Sequence, residues 1–322
     1  MHAVYAQQPS PAAPLQALRI GEQPEAVPPD GGWTVITVKA ASLNHHDLWT
    51  LRGAGLPADR YPIILGCEAS GVDDEGNEVI VGSIITEPRW CHDPVRDPAR
   101  TLLSEGAPGT FAERVAVPRH VLVPKPQDFS HTEAACVTVT WLTAYRMLFT
   151  KSGLRPGDTV LIQGAGGGVS TALTRLARAA GFRVWVTSRS ESKRKAAEHL
   201  GAHAAFGSGE RLPEPVDAVM ESVGRATWHH SLKSVRPGGT IVVTGATSGA
   251  DANAHLFRMF WNELTVVGST NGTLDELNLL LSFMRLHGLR PDIADELPFT
   301  DAGRGFARLL DGNVFGKIVF TW

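Results

Sequence analysis

Residues 160–171 read VLIQGAGGGVST, which places a short apolar run, a glycine-rich loop and the start of a helix in direct succession. Gly164 permits a tight turn, and Gly166, Gly167 and Gly168 leave room for a ligand beside the backbone. A helix that begins near Gly168 presents free N–H groups and the positive end of its dipole to an anion. This order of strand, loop and helix predicts a dinucleotide fold whose loop binds pyrophosphate.

The pattern continues on the C-terminal side of the loop, where short apolar runs alternate with amphipathic stretches. Continuous apolar runs are typical of parallel strands that helices cover on both faces. Val169, Leu173 and Leu176 recur at helical spacing after the first run, and Gly181 is a natural stop. We therefore predict an α/β, doubly wound parallel sheet of six strands, namely TVLIQG, FRVWVTS, AHAAF, VDAVMES, TIVVTG and LTVVGS.

The loop does not follow the simple G-x-G-x-x-G spacing, because Ser170 stands where the last glycine could be placed. A glycine-rich turn that binds nothing is the alternative interpretation of these residues. The six-strand context favours the dinucleotide site, since the loop follows a buried strand and opens a helix.

The end of the second predicted strand indicates which cofactor is bound. NAD-binding folds usually carry Asp or Glu there for the ribose 2′-hydroxyl, whereas this chain reads VTSRSESKRK. Ser188, Arg189 and Lys193 offer a hydroxyl and two cations, which suit a 2′-phosphate. The sequence therefore predicts NADPH, with a solvated basic helix start as the alternative.

The region before about Pro118 has a different character, with short alternating runs such as WTVITVKAA and TFAERVAVP that predict an antiparallel sheet or barrel. Ser130 and Glu133 have capping-box spacing before a long helix-compatible stretch. The final run, GKIVFTW, predicts a strand that returns to the first domain. We predict one domain from residues 1–124 and 290–322, and a second from 125–289.

Composition excludes several classes of function. The chain has 322 residues, 43% hydrophobic residues and a net charge of −3, so it lacks the basic excess of nucleic-acid-binding proteins. It has no apolar run long enough to span a membrane and no N-terminal leader pattern, so we expect a cytoplasmic protein. Its three cysteines show no C-x-x-C spacing and are expected to be reduced thiols.

The motifs ASLNHHDLW, LGCEASG, GTFAERVAVP, LTAYRML, GAGGGV and RPGG together resemble the medium-chain dehydrogenase/reductase superfamily over essentially the whole chain. The resemblance implies a GroES-like β-rich domain in front of the Rossmann sheet. Zinc alcohol dehydrogenases of this superfamily hold catalytic zinc at three positions, which are Asn44, Cys67-Glu68 and Val139 in this sequence. Two of those positions lack a suitable donor, so no metal is predicted.

Two histidines keep a zinc alternative open. Cys67 and Glu68 could bind a metal if His45 or His46 supplied a third ligand. Each histidine could instead be a structural residue bonded to the backbone. Adjacent residues at a strand end point in opposite directions, so we expect only one of the two to face a pocket.

The remaining pattern resembles the zinc-free quinone oxidoreductase branch, in which Asn-x-x-Asp precedes an aromatic residue. The resemblance implies that Asn44, Thr143 and Lys193 face the cofactor and that Asn271 lies in a loop near nicotinamide. Asp47 is included among the catalytic candidates, although we expect it to fix the local backbone. The predicted catalytic residues are Asn44, His46, Asp47 and Trp49, and the predicted cofactor-binding residues are Thr143, Gly164, Gly166, Gly167, Gly168, Val169, Ser188, Arg189, Lys193 and Asn271.

These observations predict hydride transfer from NADPH to a quinone or an α,β-unsaturated carbonyl compound without a metal. Asn44 would orient nicotinamide or a substrate oxygen, Trp49 would form an apolar wall, and His45 or His46 could donate a proton. The alternatives are a zinc-dependent alcohol dehydrogenase with atypical ligands and a non-catalytic NADPH-binding protein. The expected partner is a small-molecule substrate, and the resemblance suggests a homodimer that pairs sixth strands edge to edge.

Overall fold

Strand direction changes along the chain: most early pairs are antiparallel, whereas all pairs between Thr159 and Gly268 are parallel. A computed structural model describes all 322 residues. The strands are β1 (His2–Ala6), β2 (Leu18–Glu22), β3 (Trp33–Ser42), β4 (Ile63–Ile64), β5 (Ala69–Val72), β6 (Glu78–Val81), β7 (Ile84–Ile85), β8 (Thr101–Leu102), β9 (Arg114–Pro118), β10 (Leu122–Pro124), β11 (Thr159–Ile162), β12 (Arg183–Ser188), β13 (Ala204–Gly207), β14 (Val216–Glu221), β15 (Val235–Val243), β16 (Thr265–Gly268), β17 (Ile293–Pro298) and β18 (Lys317–Thr321).

Helices separate many of these strands, and none of them is long and apolar enough to cross a membrane. Two further segments, Val137–Trp141 and Arg146–Lys151, are π-helical. The α-helices are α1 (His45–Arg52), α2 (His131–Ala134), α3 (Leu142–Tyr145), α4 (Gly168–Ala179), α5 (Glu191–Leu200), α6 (Arg225–Ser234), α7 (Leu256–Trp261), α8 (Leu274–Leu286) and α9 (Ala302–Leu310).

The chain divides into two units. The front unit contains Met1–Val139, Thr273–Leu281 and Ile293–Trp322, and the rear unit contains Thr140–Gly272 and Ser282–Asp292. The front unit has a seven-stranded sheet with the order β10-β6-β5-β3-β18-β17, in which β9 also pairs with β3. Because β18 pairs antiparallel with β3, the final strand returns to the front unit as the sequence predicts.

Aromatic side chains form the centre of the front unit. Phe111, Phe306 and Phe320 are fully buried, and the rings of Phe111 and Phe320 meet edge to face with centroids 5.1 Å apart. Each buried phenylalanine contributes about 1.5–3 kcal/mol relative to an exposed one. This core therefore supports the sheet from which α1 and the β4–β5 loop extend.

The front unit continues past the predicted boundary at residue 124 because α2 packs on β3 and β5. Ser130 and Glu133 form the predicted capping box, with Ser130 Oγ accepting from Glu133 N at 3.1 Å. His131 Nδ1 lies 2.9 Å from Ser70 Oγ on β5. These contacts attach the segment after residue 124 to the front sheet.

The single long helix expected after Ser130 is instead divided into α2, a π-helical segment, α3 and a second π-helical segment. The interruption falls on VTVT at residues 137–140, where four consecutive β-branched side chains are poor helix formers. π-helical segments are often found at functional sites. α3, which carries Thr143, lies between the two segments.

The rear unit is the predicted doubly wound sheet, with the strand order β13-β12-β11-β14-β15-β16. All six predicted runs are strands, so this part of the prediction is confirmed. α4 begins at Gly168, and Ser190 caps α5 by accepting from Lys193 N at 3.3 Å. The glycine loop therefore lies at the carboxyl edge of the sheet, where ligands of α/β folds bind.

Candidate active site

The glycine loop of the rear unit has a backbone that only glycine adopts easily. Gly164 and Gly166 have φ of +78° and +106°, in the region that favours glycine. A Cβ at Gly166 would lie 2.8 Å from Cδ of Lys193, and one at Gly164 would lie 2.7 Å from Cγ2 of Val223. At Gly167 the nearest atom to such a Cβ would be 3.7 Å away, so this side of the loop is open. The loop fits a pyrophosphate group at the N-terminus of α4.

Two cations follow β12, and one of them, Lys193, contacts this loop. Ser188 ends β12 and is buried, and its Oγ accepts from Ser190 N at 3.3 Å. Arg189 is exposed, and the stem of Lys193 lies against Gly166. Burial and the positive charge of Arg189 lower the pKa of Lys193. Two neighbouring like charges favour an anionic ligand, which would relieve their repulsion.

The other predicted cofactor residues of the rear unit lie on α3, α4 and the loop after β16. Thr143 is buried on α3, and Val169 is half-buried in the first turn of α4. Asn271 has a φ of +45°, and its Oδ1 accepts from Gly272 N at 2.9 Å. An asparagine tolerates this left-handed backbone better than most residues.

In the front unit, Asn44 caps α1, and His45 and His46 occupy the first turn of that helix rather than a strand end. Successive side chains on a helix are separated by about 100°. His45 is exposed, whereas His46 is half-buried. One histidine therefore faces inward, as expected. The cause is the rotation between successive residues of a helix, and not the alternation of side chains at a strand end.

Asp47 is fully buried and stabilises the backbone. Its Oδ2 accepts from Asn44 N and its Oδ1 accepts from Gly66 N, both at 2.8 Å. Burial raises the pKa of Asp47 to about 7. Both carboxylate oxygens accept hydrogen bonds from backbone N–H groups. These bonds support the expected role of Asp47 in fixing the backbone, and they do not support a direct contact with substrate.

A buried ion pair occupies the region of the three positions that hold zinc in the zinc alcohol dehydrogenases. Lys317 Nζ donates to Leu43 O, Asn44 Oδ1 and Glu68 Oε1 at 2.8, 2.6 and 2.9 Å. Glu68 Oε1 also accepts from Ser42 Oγ at 2.5 Å and from Asn44 Nδ2 at 2.9 Å. Both ends of the Asn44 amide are thus bonded within the front unit, which differs from the predicted contact with nicotinamide or substrate.

The three family zinc positions meet in this cluster but do not form a zinc site. Asn44 Nδ2 is 3.8 Å from Cys67 Sγ, and Glu68 Oε2 accepts from Val139 N at 2.8 Å. Burial raises the pKa of the Cys67 thiol well above its usual value, which disfavours the thiolate that zinc requires. No group of three or more His, Cys, Asp or Glu side chains is arranged to hold a metal ion. The donor set therefore does not fit catalytic zinc.

No motif in the sequence marks Lys317 as part of the site. A lysine within the apolar run GKIVF was the available signal, because a charged residue in a buried strand needs a buried partner. The partner, Glu68, is 249 residues away in the chain, so only the folded structure identifies it.

Two further residues that no sequence motif indicates lie beside His46. His46 Nε2 lies 3.1 Å from Ser104 Oγ and 3.7 Å from Glu105 Oε1. Burial lowers the pKa of His46, and the charge of Glu105 opposes this effect. Trp49, half-buried, lies on the same helix. This arrangement can accept and donate protons, because a neutral imidazole has one donor and one acceptor nitrogen.

Comparisons with known proteins agree with this architecture. Residues 30–127 match the alcohol dehydrogenase GroES-like domain family, and residues 168–285 match the zinc-binding dehydrogenase family. A solved NAD-dependent alcohol dehydrogenase is 31% identical, with a TM-score of 0.90 and complete coverage of both chains.

Two curated relatives span most of the chain. An acryloyl-coenzyme A reductase from Sulfurisphaera tokodaii is 28% identical and covers 95% of this chain and 97% of its own. A quinone oxidoreductase from Mus musculus is 23% identical and covers 88% of this chain and 87% of its own.

Proposed function

Because the chain belongs to the medium-chain dehydrogenase/reductase superfamily and is an oxidoreductase of that type, we propose that it uses NADPH to reduce an electrophilic acceptor without a metal. The acceptor is an α,β-unsaturated carbonyl compound or a quinone. The similarity to an acryloyl-coenzyme A reductase and to a quinone oxidoreductase supports both classes of acceptor.

The observation that carries the proposal is the pair of cations at the end of β12 and in the first turn of α5. Arg189 follows β12 directly and the stem of Lys193 lies against Gly166, which supports binding of a phosphate by these two side chains. Ser188 takes the position where an NAD-specific site usually has an acidic residue. These residues favour NADPH, although one similar structure is named an NAD-dependent enzyme.

Metal-free reduction is supported by the donor chemistry of the front unit. The oxygens of Glu68 are engaged by Lys317, Ser42, Asn44 and Val139 N, and the site offers no set of zinc ligands. Reduction of an already electrophilic double bond has less need of a Lewis acid than oxidation of an alcohol does.

The residues of each unit then have separate roles. The glycine loop, Thr143 and Asn271 hold the cofactor, and bound NADPH supplies the hydride. In the front unit, Trp49 offers an apolar surface and His46 a proton. Asn44 acts as a positioning residue, because its amide joins Lys317 to Glu68.

The test uses protein dialysed against a chelator, with NADPH oxidation followed against quinones, enones and enoyl-coenzyme A thioesters. We expect turnover with NADPH and much slower turnover with NADH. Activity restored by zinc with an alcohol would overturn the proposal. Tight NADPH binding without turnover on any acceptor would indicate a non-catalytic binding protein instead.

The rear unit also supports the proposal of a homodimer. β16 is the edge strand of the six-stranded sheet, and exposed edge strands pair readily with other strands. Four apolar side chains on α7 are 65–71% exposed, although large apolar patches are uncommon on monomers; they are Leu256, Phe257, Phe260 and Trp261. A two-fold axis would pair β16 with its copy and cover α7.

Light scattering on Phe257→Ser/Trp261→Ser tests this assembly. We expect the wild type to be a dimer and this variant to shift towards monomer. Leu286→Ser is the matched control, because Leu286 is 81% exposed on α8 and is not part of this patch. A monomeric wild type would overturn the assembly proposal.

A further inference from the structure

We infer that His46, Ser104 and Glu105 form a proton-delivery chain that protonates the substrate α-carbon after the β-carbon of an enone has received a hydride. This inference rests on the proposed function and extends it. None of the predicted site residues other than His46 belongs to the chain of groups.

The geometry places one imidazole nitrogen against two groups that exchange protons. His46 Nε2 is 3.1 Å from the hydroxyl of Ser104 and 3.7 Å from a carboxylate oxygen of Glu105. The side chain of His46 is 16% exposed and that of Glu105 is 30% exposed. The chain of groups therefore runs from a partly solvated carboxylate to a largely buried imidazole.

Ser104 is held in a conformation that serine seldom adopts. It is fully buried with a φ of +66°, and its N–H donates to Ala107 O at 2.9 Å. Non-glycine residues in the left-handed region are strained and are concentrated at functional sites. Glycine would adopt this backbone with less strain. The serine at this position adds a hydroxyl beside His46, which is what distinguishes it from glycine.

The segment after Ser104 is fixed independently of the carboxylate. Arg60 Nη2 donates to the carbonyl oxygens of Glu105 and Gly106 at 3.0 and 2.7 Å. Glu105 N donates to Leu102 O at 3.1 Å. The backbone of Glu105 is thus anchored, while its carboxylate faces His46 and water.

The other charged groups near His46 do not compete for Nε2. The Asp47 carboxylate is turned towards Asn44 N and Gly66 N. Arg60 binds backbone oxygens, and His45 is exposed on α1. Burial lowers the pKa of His46, which favours the neutral imidazole, and a neutral imidazole can take a proton on one nitrogen as it gives one from the other.

Protonation of the α-carbon follows hydride addition. Hydride addition at the β-carbon leaves the former double-bond electron pair on the enolate. A C–H bond forms at the α-carbon as the Nδ1–H bond of His46 breaks, and Nε2 takes the hydroxyl proton of Ser104. The cycle closes when water returns a proton to Nδ1 and Nε2 gives its proton back to Ser104. The Glu105 carboxylate, 3.7 Å from Nε2, stabilises the imidazolium between these two steps, and one solvent proton is consumed for each substrate reduced.

Comparison of two substrate classes separates this role from a structural one. Reduction of a quinone leaves an oxygen anion, which water protonates rapidly, whereas protonation of carbon is slow without a positioned acid. We expect His46→Gln to lower kcat for an enone roughly 100-fold and to affect quinone reduction much less. In D2O, wild-type enzyme should deuterate the α-carbon of a substituted enone on one face, and His46→Gln should lose that selectivity.

Variants of the other two groups test the chain itself. Ser104→Ala and Ser104→Gly both remove the hydroxyl, but only glycine relieves the backbone strain, so equal losses of enone activity would identify the hydroxyl as the cause. Glu105→Gln should also reduce enone turnover selectively. Glu22→Gln, an exposed substitution on β2, is the control for loss of one negative charge.

A measurement without cofactor completes the test. NMR titration of the free protein should show a lower pKa for His46 in Glu105→Gln, because the carboxylate raises that pKa. Equal effects on enones and quinones, or no effect on either, would overturn the proton-delivery chain. Absence of turnover by wild-type protein with every acceptor would instead overturn the proposed function.

Discussion

The charged clusters at the candidate sites of the two units differ in burial and in charge balance. In the front unit, Glu68 and Lys317 are buried, lie 2.9 Å apart and have their remaining hydrogen bonds satisfied by the protein. In the rear unit, Arg189 is exposed and repels the nearby Lys193. A closed charge cluster maintains structure, whereas adjacent like charges at a sheet edge are suited to an anionic ligand.

The largest expected effect comes from breaking the closed cluster. Lys317→Met leaves the carboxylate of Glu68 buried without its cation, which should destabilise the fold by about 3–5 kcal/mol. Urea unfolding measures the loss. The double variant Glu68→Gln/Lys317→Met removes both charges and should recover part of the stability that Lys317→Met loses. A single variant as stable as the wild type would show that the pair has no structural role.

The next effect concerns the cations of the rear unit. Arg189→Ala and Lys193→Ala should each raise the KM for NADPH roughly 10- to 100-fold, since a hydrogen bond to a charged group contributes about 1.5–3 kcal/mol. The KM for NADH and the free energy of unfolding should change little. Equal losses with both cofactors would argue against recognition of a 2′-phosphate.

The third prediction concerns the buried carboxylate of α1. Asp47→Asn leaves one backbone N–H without its acceptor and should cost about 1–3 kcal/mol. Burial raises the pKa of Asp47 from 3.8 to about 7, so its protonated form is favoured in the folded state. The contribution of this protonation to the free energy of unfolding is fully present below pH 3.8, and it is lost as the pH rises through about 7.

Urea midpoints at pH 5 and pH 8 measure this dependence. The wild type should be less stable at pH 8, and the difference should be smaller in Asp47→Asn. A pH dependence that is the same in both proteins would assign the titration to another group.

The smallest effect comes from an exposed ion pair in the front unit. His92 Nδ1 is 2.7 Å from Asp275 Oδ2, but the two side chains are 73% and 61% exposed. His92→Ala should change the free energy of unfolding by less than about 1 kcal/mol because water screens such pairs. A loss comparable with that of Lys317→Met would contradict the distinction between the buried and exposed pairs.

The rear unit was predictable because its signals are local. Each buried strand is a continuous apolar run. The turn after the first of them is indicated by residue type alone, because Gly164 and Gly166 are glycines. The cap at Ser190 requires only residues within three positions of it. The division of the helix after Ser130 was less accessible, because π-helical geometry depends on packing as well as on the run of β-branched residues.

The front site was only partly predictable. Asn44, His46 and Asp47 were identified from one motif, but the bonds of their side chains involve Lys317, Ser104 and Gly66, respectively. These partners are 19 to 273 residues away in the chain. No local pattern indicates such pairs.

The sequence by itself determined the parallel sheet, the glycine loop, the basic end of β12 and the loss of zinc ligands at Asn44 and Val139. Those features depend on residue type and spacing within a few positions. The tertiary structure alone decided that Lys317 neutralises Glu68, that α1 turns His46 inward, and that Ser104 and Glu105 meet its imidazole. The physical reason is that burial and charge pairing depend on distances in space, which the fold sets.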